Sequence, residues 1–192
     1  PLNVEIFPRP PEEKLFMVIV ERDSPPIFLE DFESGPNGWT AGSNNANQQT
    51  AWQLGRPDAS TGPSTGADLS TRAFTTNLGN YGDNADIFLR SPAIDLTDRN
   101  FTRATLMLDH YRDADGLGDL FGIRVLRARD RRILANINPD PSIFDSDWVP
   151  LSEDLSPVAL GEEIILEFWF TSDASGDSFS GWSIDNVAID VR

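Results

Sequence analysis

The segment Phe179-Ser180-Gly181-Trp182-Ser183-Ile184-Asp185-Asn186-Val187-Ala188-Ile189 decides the fold. Side chains on a strand alternate between its two faces. By that period Trp182 and Ile184 share one face, whereas Val187 and Ile189 share the other. The apolar phase therefore slips by one residue at Asp185-Asn186. A β-bulge there accounts for the slip, and a bulge re-aims the side chains around it. The natural partner is Ile27-Phe28-Leu29-Glu30-Asp31-Phe32-Glu33, near the other end of the chain. Read as a strand, it sends Asp31 and Glu33 to one face and Phe32 to the other. Pairing the two stretches gathers Asp31, Glu33 and Asp185 at one corner. Ca²⁺ takes roughly six to eight oxygen ligands and tolerates irregular geometry. Acids crowded at a corner repel unless a cation neutralises them. The corner is thus a candidate site for a structural Ca²⁺. The competing reading is that Glu33 and Asp185 cap turns by accepting hydrogen bonds from local backbone.

The rest of the chain reads as many short strands. Ala51 to Gly55, Ala73 to Leu78, Ile87 to Leu89, Leu106 to Tyr111, Phe121 to Val125, Ile133 to Asn136 and Trp148 to Leu151 are separated by turns rich in Gly, Pro, Asn and Asp. Leu106, Leu108 and His110 share one face, with Met107, Asp109 and Tyr111 opposite. Ile164 to Phe170 is apolar on nearly every position, the mark of a central strand covered on both faces. Asp154-Leu155-Ser156 opens a brief helical turn. The run Gly42 to Thr50 is polar and reads as loop. No window carries a sustained 3.6-residue period. The expected fold is all-β, a two-sheet antiparallel jelly-roll β-sandwich.

Composition narrows the function. The formal net charge is −16 over 192 residues, which argues against binding nucleic acid. No apolar run reaches the roughly 18 residues of a membrane span. There is no Cys, which removes disulfides, thiolate metal sites and Cys nucleophiles, and a single His, which removes a His-rich metal centre. Residues 1–26 read as an extension in which prolines bracket one strand-sized block, Leu15 to Val20. Residues 27–192 read as the domain. The chain opens on Pro1 with no signal-peptide pattern, which suits a piece of a larger protein.

The ordered motifs Leu29-Glu30-Asp31-Phe32-Glu33, Gly38-Trp39-Thr40, Trp52-Gln53-Leu54-Gly55, Thr61-Gly62-Pro63-Ser64-Thr65-Gly66, Leu89 to Leu96 and Gly181 to Val187 resemble those of MAM-type jelly rolls. The resemblance is strongest to their bacterial relatives, the cleaved-adhesin domains and the similar modules attached to secreted metallopeptidases. It implies an extracellular or cell-surface module, a bound structural cation and no catalysis of its own. The implied partner is a protein or a glycan. Animal MAM domains carry cysteines, and this chain has none. The resemblance also adds Asp68, after the Thr-Gly-Pro loop, to Asp31, Glu33 and Asp185 as metal ligands.

Three further groups bear on chemistry. Asp113 to Asp119 begins like a calcium loop, but position twelve is Arg124 and no helix pattern flanks it, so a polar surface turn is expected. Of five tryptophans, Trp39, Trp52 and Trp182 read as core. Trp169 and Tyr111, on faces of mixed polarity, are candidate platforms for a sugar ring, which would make the domain a carbohydrate-binding module or lectin. His110 cannot be oriented by Asp109, because neighbours on a strand point oppositely. A polysaccharide-active enzyme is accordingly the least supported reading.

Overall fold

The computed structural model describes residues 25–46, 49–176 and 179–192. The Leu15 to Val20 block lies outside the described residues. Among the described residues, twelve strands form two antiparallel sheets, as the short alternating segments predict. The first sheet runs in the order β10 (Val149–Asp154), β7 (Ala104–Asp113), β12 (Gly181–Val191), β4 (Ala73–Thr76), β3 (Trp52–Gly55). Strand β1 (Phe28–Glu30) also pairs with β12, beyond the end of β4. The second sheet runs β2 (Thr40–Ser43), β5 (Asp86–Arg90), β11 (Glu163–Thr171), β8 (Leu120–Arg127), β9 (Ile133–Ile137), with β6 (Ile94–Asp95) also on β11.

The apolar phase slip is a bulge. The register of β12 on β7 shifts between Asp185 and Ala188, and Asn186 takes a left-handed φ of 50°, which Asn tolerates better than most residues. The consequence is that Trp182, Ile184, Val187 and Ile189 all enter the core, each fully buried. Strand β1 pairs with the stretch beyond the bulge, Phe28 opposite Ile189 and Glu30 opposite Val187. The first and last strands of the domain are therefore neighbours, as expected.

Two expectations fail here. The first strand stops at Glu30, because Phe32 has a φ of 59° and Asp31 to Glu33 form a turn. The buried acid of this segment is therefore Glu30, whose Oε1 accepts the Phe32 N–H at 2.9 Å and the Asn37 side-chain amide at 3.0 Å. The polar run after Trp39 contains an edge strand, β2, which pairs with β5 through backbone groups that no apolar pattern advertises.

Between the sheets, Trp182 stacks on Phe121 with ring centres 4.9 Å apart and meets Phe168 and Trp52. Phe32, Trp39 and Phe74 fill the other end of the core. Ile164, Leu166, Phe168 and Phe170 of β11 are fully buried against them. Deleting a fully buried aromatic side chain costs about 3–5 kcal/mol. Trp182→Ala should lower the free energy of urea unfolding by that amount, with Trp148→Ala, half-buried at the surface, costing much less.

Candidate functional site

The corner where β12 bulges is built around one loop. Residues Thr65 to Arg72, including a short 3₁₀ turn at Ala67–Leu69, pass over the bulge. Asp185 is fully buried. Its Oδ2 accepts the Ala67 N–H at 2.9 Å and the Ser70 hydroxyl at 3.0 Å, and its Oδ1 accepts the Asn186 N–H at 2.8 Å. From the other side, Glu33 Oε1 accepts the N–H groups of Thr71 at 3.0 Å and Arg72 at 2.6 Å. The pairing of chain ends thus brings Glu33 and Asp185 onto the same loop. It does not gather all four expected ligands. Asp31 Oδ1 accepts the N–H of Glu33 within its own turn. Asp68 sits at the exposed tip of the loop with a φ of 51°. Among the described residues, no three His, Asp or Glu side chains are grouped to hold a metal ion.

Oxygens nevertheless converge at Gly66. A Cβ there would fall 2.4 Å from the Arg72 carbonyl oxygen and 2.7 Å from Asp185 Oδ2, with the Ser70 hydroxyl closer still. Only glycine fits against these oxygens, which the Ser70 hydroxyl links by hydrogen bonds. A carboxylate, a carbonyl and a hydroxyl are the donor types that a hard cation takes. The donor chemistry therefore fits Ca²⁺, with Asp185 as the anionic member and Glu33 bound to the adjoining backbone.

Beside the loop lies a cleft of about 380 Å³ lined by Asp68, Leu69, Asp109, Asp147, Trp148 and Pro150, among others. Asp109 Oδ2 accepts the Asn186 side-chain amide at 2.9 Å. Tyr111 faces this side of the first sheet, but Trp148 packs edge-on against its ring and buries it. That leaves Tyr111 no open ring face, contrary to the platform expected of it. Trp169 stands on the outer face of the second sheet, half-buried, with the Arg124 guanidinium 5.1 Å from its ring centre. The two aromatic candidates thus lie on different sheets and cannot form one platform.

The Asp113 to Asp119 loop is less superficial than its polarity suggests. Asp119 is 1% exposed. It accepts the Tyr81 hydroxyl and, at 2.9 Å, the Asp173 N–H. Asp113 Oδ2 accepts both the N–H and the hydroxyl of Ser180, at 3.0 and 2.7 Å. These acids tie loops together just before β12. Nothing in the local sequence distinguishes them from surface aspartates.

Buried Asp185 and His110 titrate away from their ordinary ranges in opposite directions. Burial raises the Asp185 carboxyl to about 6, against the hydrogen bonds from Asn186, Ala67 and Ser70, with Asp109 adding to the rise. Burial lowers His110 to about 4, with Arg112 adding to the fall. Trp182 Nε1 donates to His110 Nδ1 at 3.3 Å, which suits a neutral imidazole.

Comparison with known proteins places this geometry. No family model matches the chain. Over 166 residues the chain is 30% identical to bacillopeptidase F of Bacillus subtilis strain 168. That alignment covers 84% of this chain and 10% of the relative, so the chain spans about a tenth of that protein's length. The structure superposes on the K1 cleaved-adhesin domain of Lys-gingipain from Porphyromonas gingivalis W83 with a TM-score of 0.57. Identity is 19%, over 86% of this chain and 98% of that domain. The fold is shared with cleaved-adhesin domains. It is also shared with the carbohydrate-binding module TmCBM61, solved with beta-1,4-galactotriose, at a TM-score of 0.55 and 13% identity over 85% and 95% of the two chains. At these identities the likeness to solved structures is one of fold alone.

The two titrations give opposing pH dependences. Between about pH 6 and the ordinary aspartate range near 3.8, native Asp185 takes up a proton that the unfolded chain takes up later, so its contribution to stability rises as pH falls. Between the ordinary histidine range near 6.5 and about pH 4, the unfolded chain protonates first, so the His110 contribution falls as pH falls. Melting temperatures measured from pH 7 to pH 4 should separate them. Asp185→Asn should steepen the loss of stability on acidification, and His110→Gln should leave a gain or a plateau. Identical pH profiles for the parent and both variants would exclude these assignments.

Proposed function

We propose that this chain is a non-catalytic, Ca²⁺-stabilised binding module, working outside the cell as part of a larger secreted or surface protein. In this reading it is a MAM-like module of the cleaved-adhesin kind, and its partner is a glycan in preference to a protein. The observation that carries the proposal is the two-sheet sandwich, shared over most of its length with an adhesin domain and a carbohydrate-binding module. The alignment with a tenth of bacillopeptidase F supports a modular setting in a longer chain. His110, the only histidine, is sealed in the core and held by Trp182, so it is not placed to move protons for a substrate. Such a module serves by holding its parent near a target.

The ion is assigned to the Thr65 to Arg72 loop beside Asp185. Asp185 and Glu33 would hold it together with loop carbonyl and hydroxyl oxygens, and it would offset the buried charge of Asp185. Chelator-treated protein titrated with Ca²⁺ should melt at higher temperature, since a ligand at a hundred times its Kd stabilises the native state by about 2.7 kcal/mol. Asp185→Asn should remove most of that increase. An unchanged melting curve at millimolar Ca²⁺ would eliminate the ion from the proposal.

The partner class is tested separately. The isolated chain should be retained by an immobilised polysaccharide or glycan panel and should release no reducing ends from it. Turnover of any polysaccharide by the purified chain would replace the binding reading with an enzymatic one.

A further inference from the structure

We infer that the outer face of the second sheet, centred on Arg90, Glu167 and Arg124, is the ligand face, and that it takes an acidic glycan whose carboxylates pair with the two guanidinium groups. The inference rests on the glycan-binding reading above and names the site and the sugar class.

Strand register sets the geometry. Gly42, Phe88, Trp169 and Gly122 lie in one row across β2, β5, β11 and β8. A Cβ at Gly42 would fall 2.4 Å from Phe88 Cζ, and one at Gly122 would fall 3.0 Å from Trp169 Cζ2. The two rings therefore lie down over the neighbouring strands, into space that only glycine leaves. The adjoining outward row is Thr40, Arg90, Glu167, Arg124 and Asn136. The Arg90 guanidinium rests 3.9 Å from the Phe88 ring centre, and that of Arg124 rests 5.1 Å from the Trp169 ring centre. The result is a low surface of rings and planar cations.

Charge gives the surface its preference. Glu167 is buried. Its Oε2 takes Arg90 Nε at 2.7 Å and Nη2 at 2.6 Å, and its Oε1 takes Arg124 Nη1 at 2.8 Å. Two cations against one anion leave one positive charge, in a chain whose net charge is −16. The remaining donors, Arg90 Nη1 and Arg124 Nε and Nη2, have no acceptor among the described residues, and both side chains are about a third exposed. The other acids on this face lie two outward rows from the arginines: Asp86, which accepts the Asn44 amide at 2.9 Å, beyond the Phe88 row, and Glu163 with Asp95 beyond Ile165. Arginine forks bind carboxylates in two-point geometry. The guanidinium groups lie over Phe88 and Trp169, so the rings serve as supports that hold the two cations in place. A neutral sugar offers the forks no carboxylate, whereas a uronate does.

Affinity electrophoresis of the folded chain through gels containing polygalacturonate, or the same polymer fully methyl-esterified, tests this. Esterification removes the charge and keeps the chain of sugars. Retardation should be strong in the free acid and weaker by about tenfold in the ester, the scale expected of losing a paired charge at an interface. Arg124→Gln and Trp169→Ala should each weaken binding by a similar factor. Glu167→Gln should strengthen it, because the patch then carries two positive charges. Tyr111→Phe, on the other sheet, should leave it unchanged. If Arg124→Gln does not fold, the pair Arg124→Gln with Glu167→Gln avoids stranding a buried carboxylate and should still bind more weakly than Glu167→Gln alone. Equal retardation by acid and ester, or retardation unchanged by the Arg124 variants, overturns the inference while leaving a glycan-binding module. Retardation by no polysaccharide at all overturns both.

Discussion

A carboxylate taken out of water has to find donors where the backbone can supply them. Asp185 is that carboxylate, and the corner is arranged around its needs. It is the last residue paired with β7 before the bulge, and Asn186 absorbs the turn with a left-handed backbone. Ala67, Ser70 and Asn186 then supply N–H and O–H groups, which ionised oxygens accept strongly. The loop that brings Ala67 and Ser70 is held at its far end by Glu33. One buried charge thus couples the last strand, a mid-chain loop and the turn after the first strand. An uncompensated charge in this position would be expensive, so the three segments order together.

Much of this architecture was legible in the residues. The slip in apolar phase between Ile184 and Val187 located the bulge, because a period of two admits no other reading once both halves are buried. The alternation in β7, β8 and β11 gave their inward faces correctly. The N-terminal partner of β12 was found for the same reason. Strand β2 was not, since an edge strand can form from polar residues with backbone hydrogen bonds alone. Nor was the end of β1, which depends on Phe32 adopting a backbone conformation that its side chain disfavours.

The site was harder to read than the fold. Glu33 and Asp185 converge on one loop because strand pairing dictates it. Asp31 and Asp68 do not join them, because a turn and a loop tip set their directions. Asp119 resembles a solvated acid in sequence and is buried in fact, held by Tyr81 and Asp173 from distant segments. Tyr111 loses its open face to Trp148, a contact between a strand and the loop before β10 that no local pattern encodes. On the second sheet, the glycines at 42 and 122 matter as much as the aromatics. Their register with Phe88 and Trp169 is visible only once the strand order is known.

The adjacency of β1 and β12 has a mechanical consequence. The two strands run antiparallel, and Ile27, where the chain enters, donates to the carbonyl of Ile189, close to where the chain leaves. Tension applied through the two flanking segments would load that pair from a single end. Its few rungs would open one after another, with no simultaneous shear across the ladder. Such a load would open β1 first, next to Glu33, before the aromatic interior felt it.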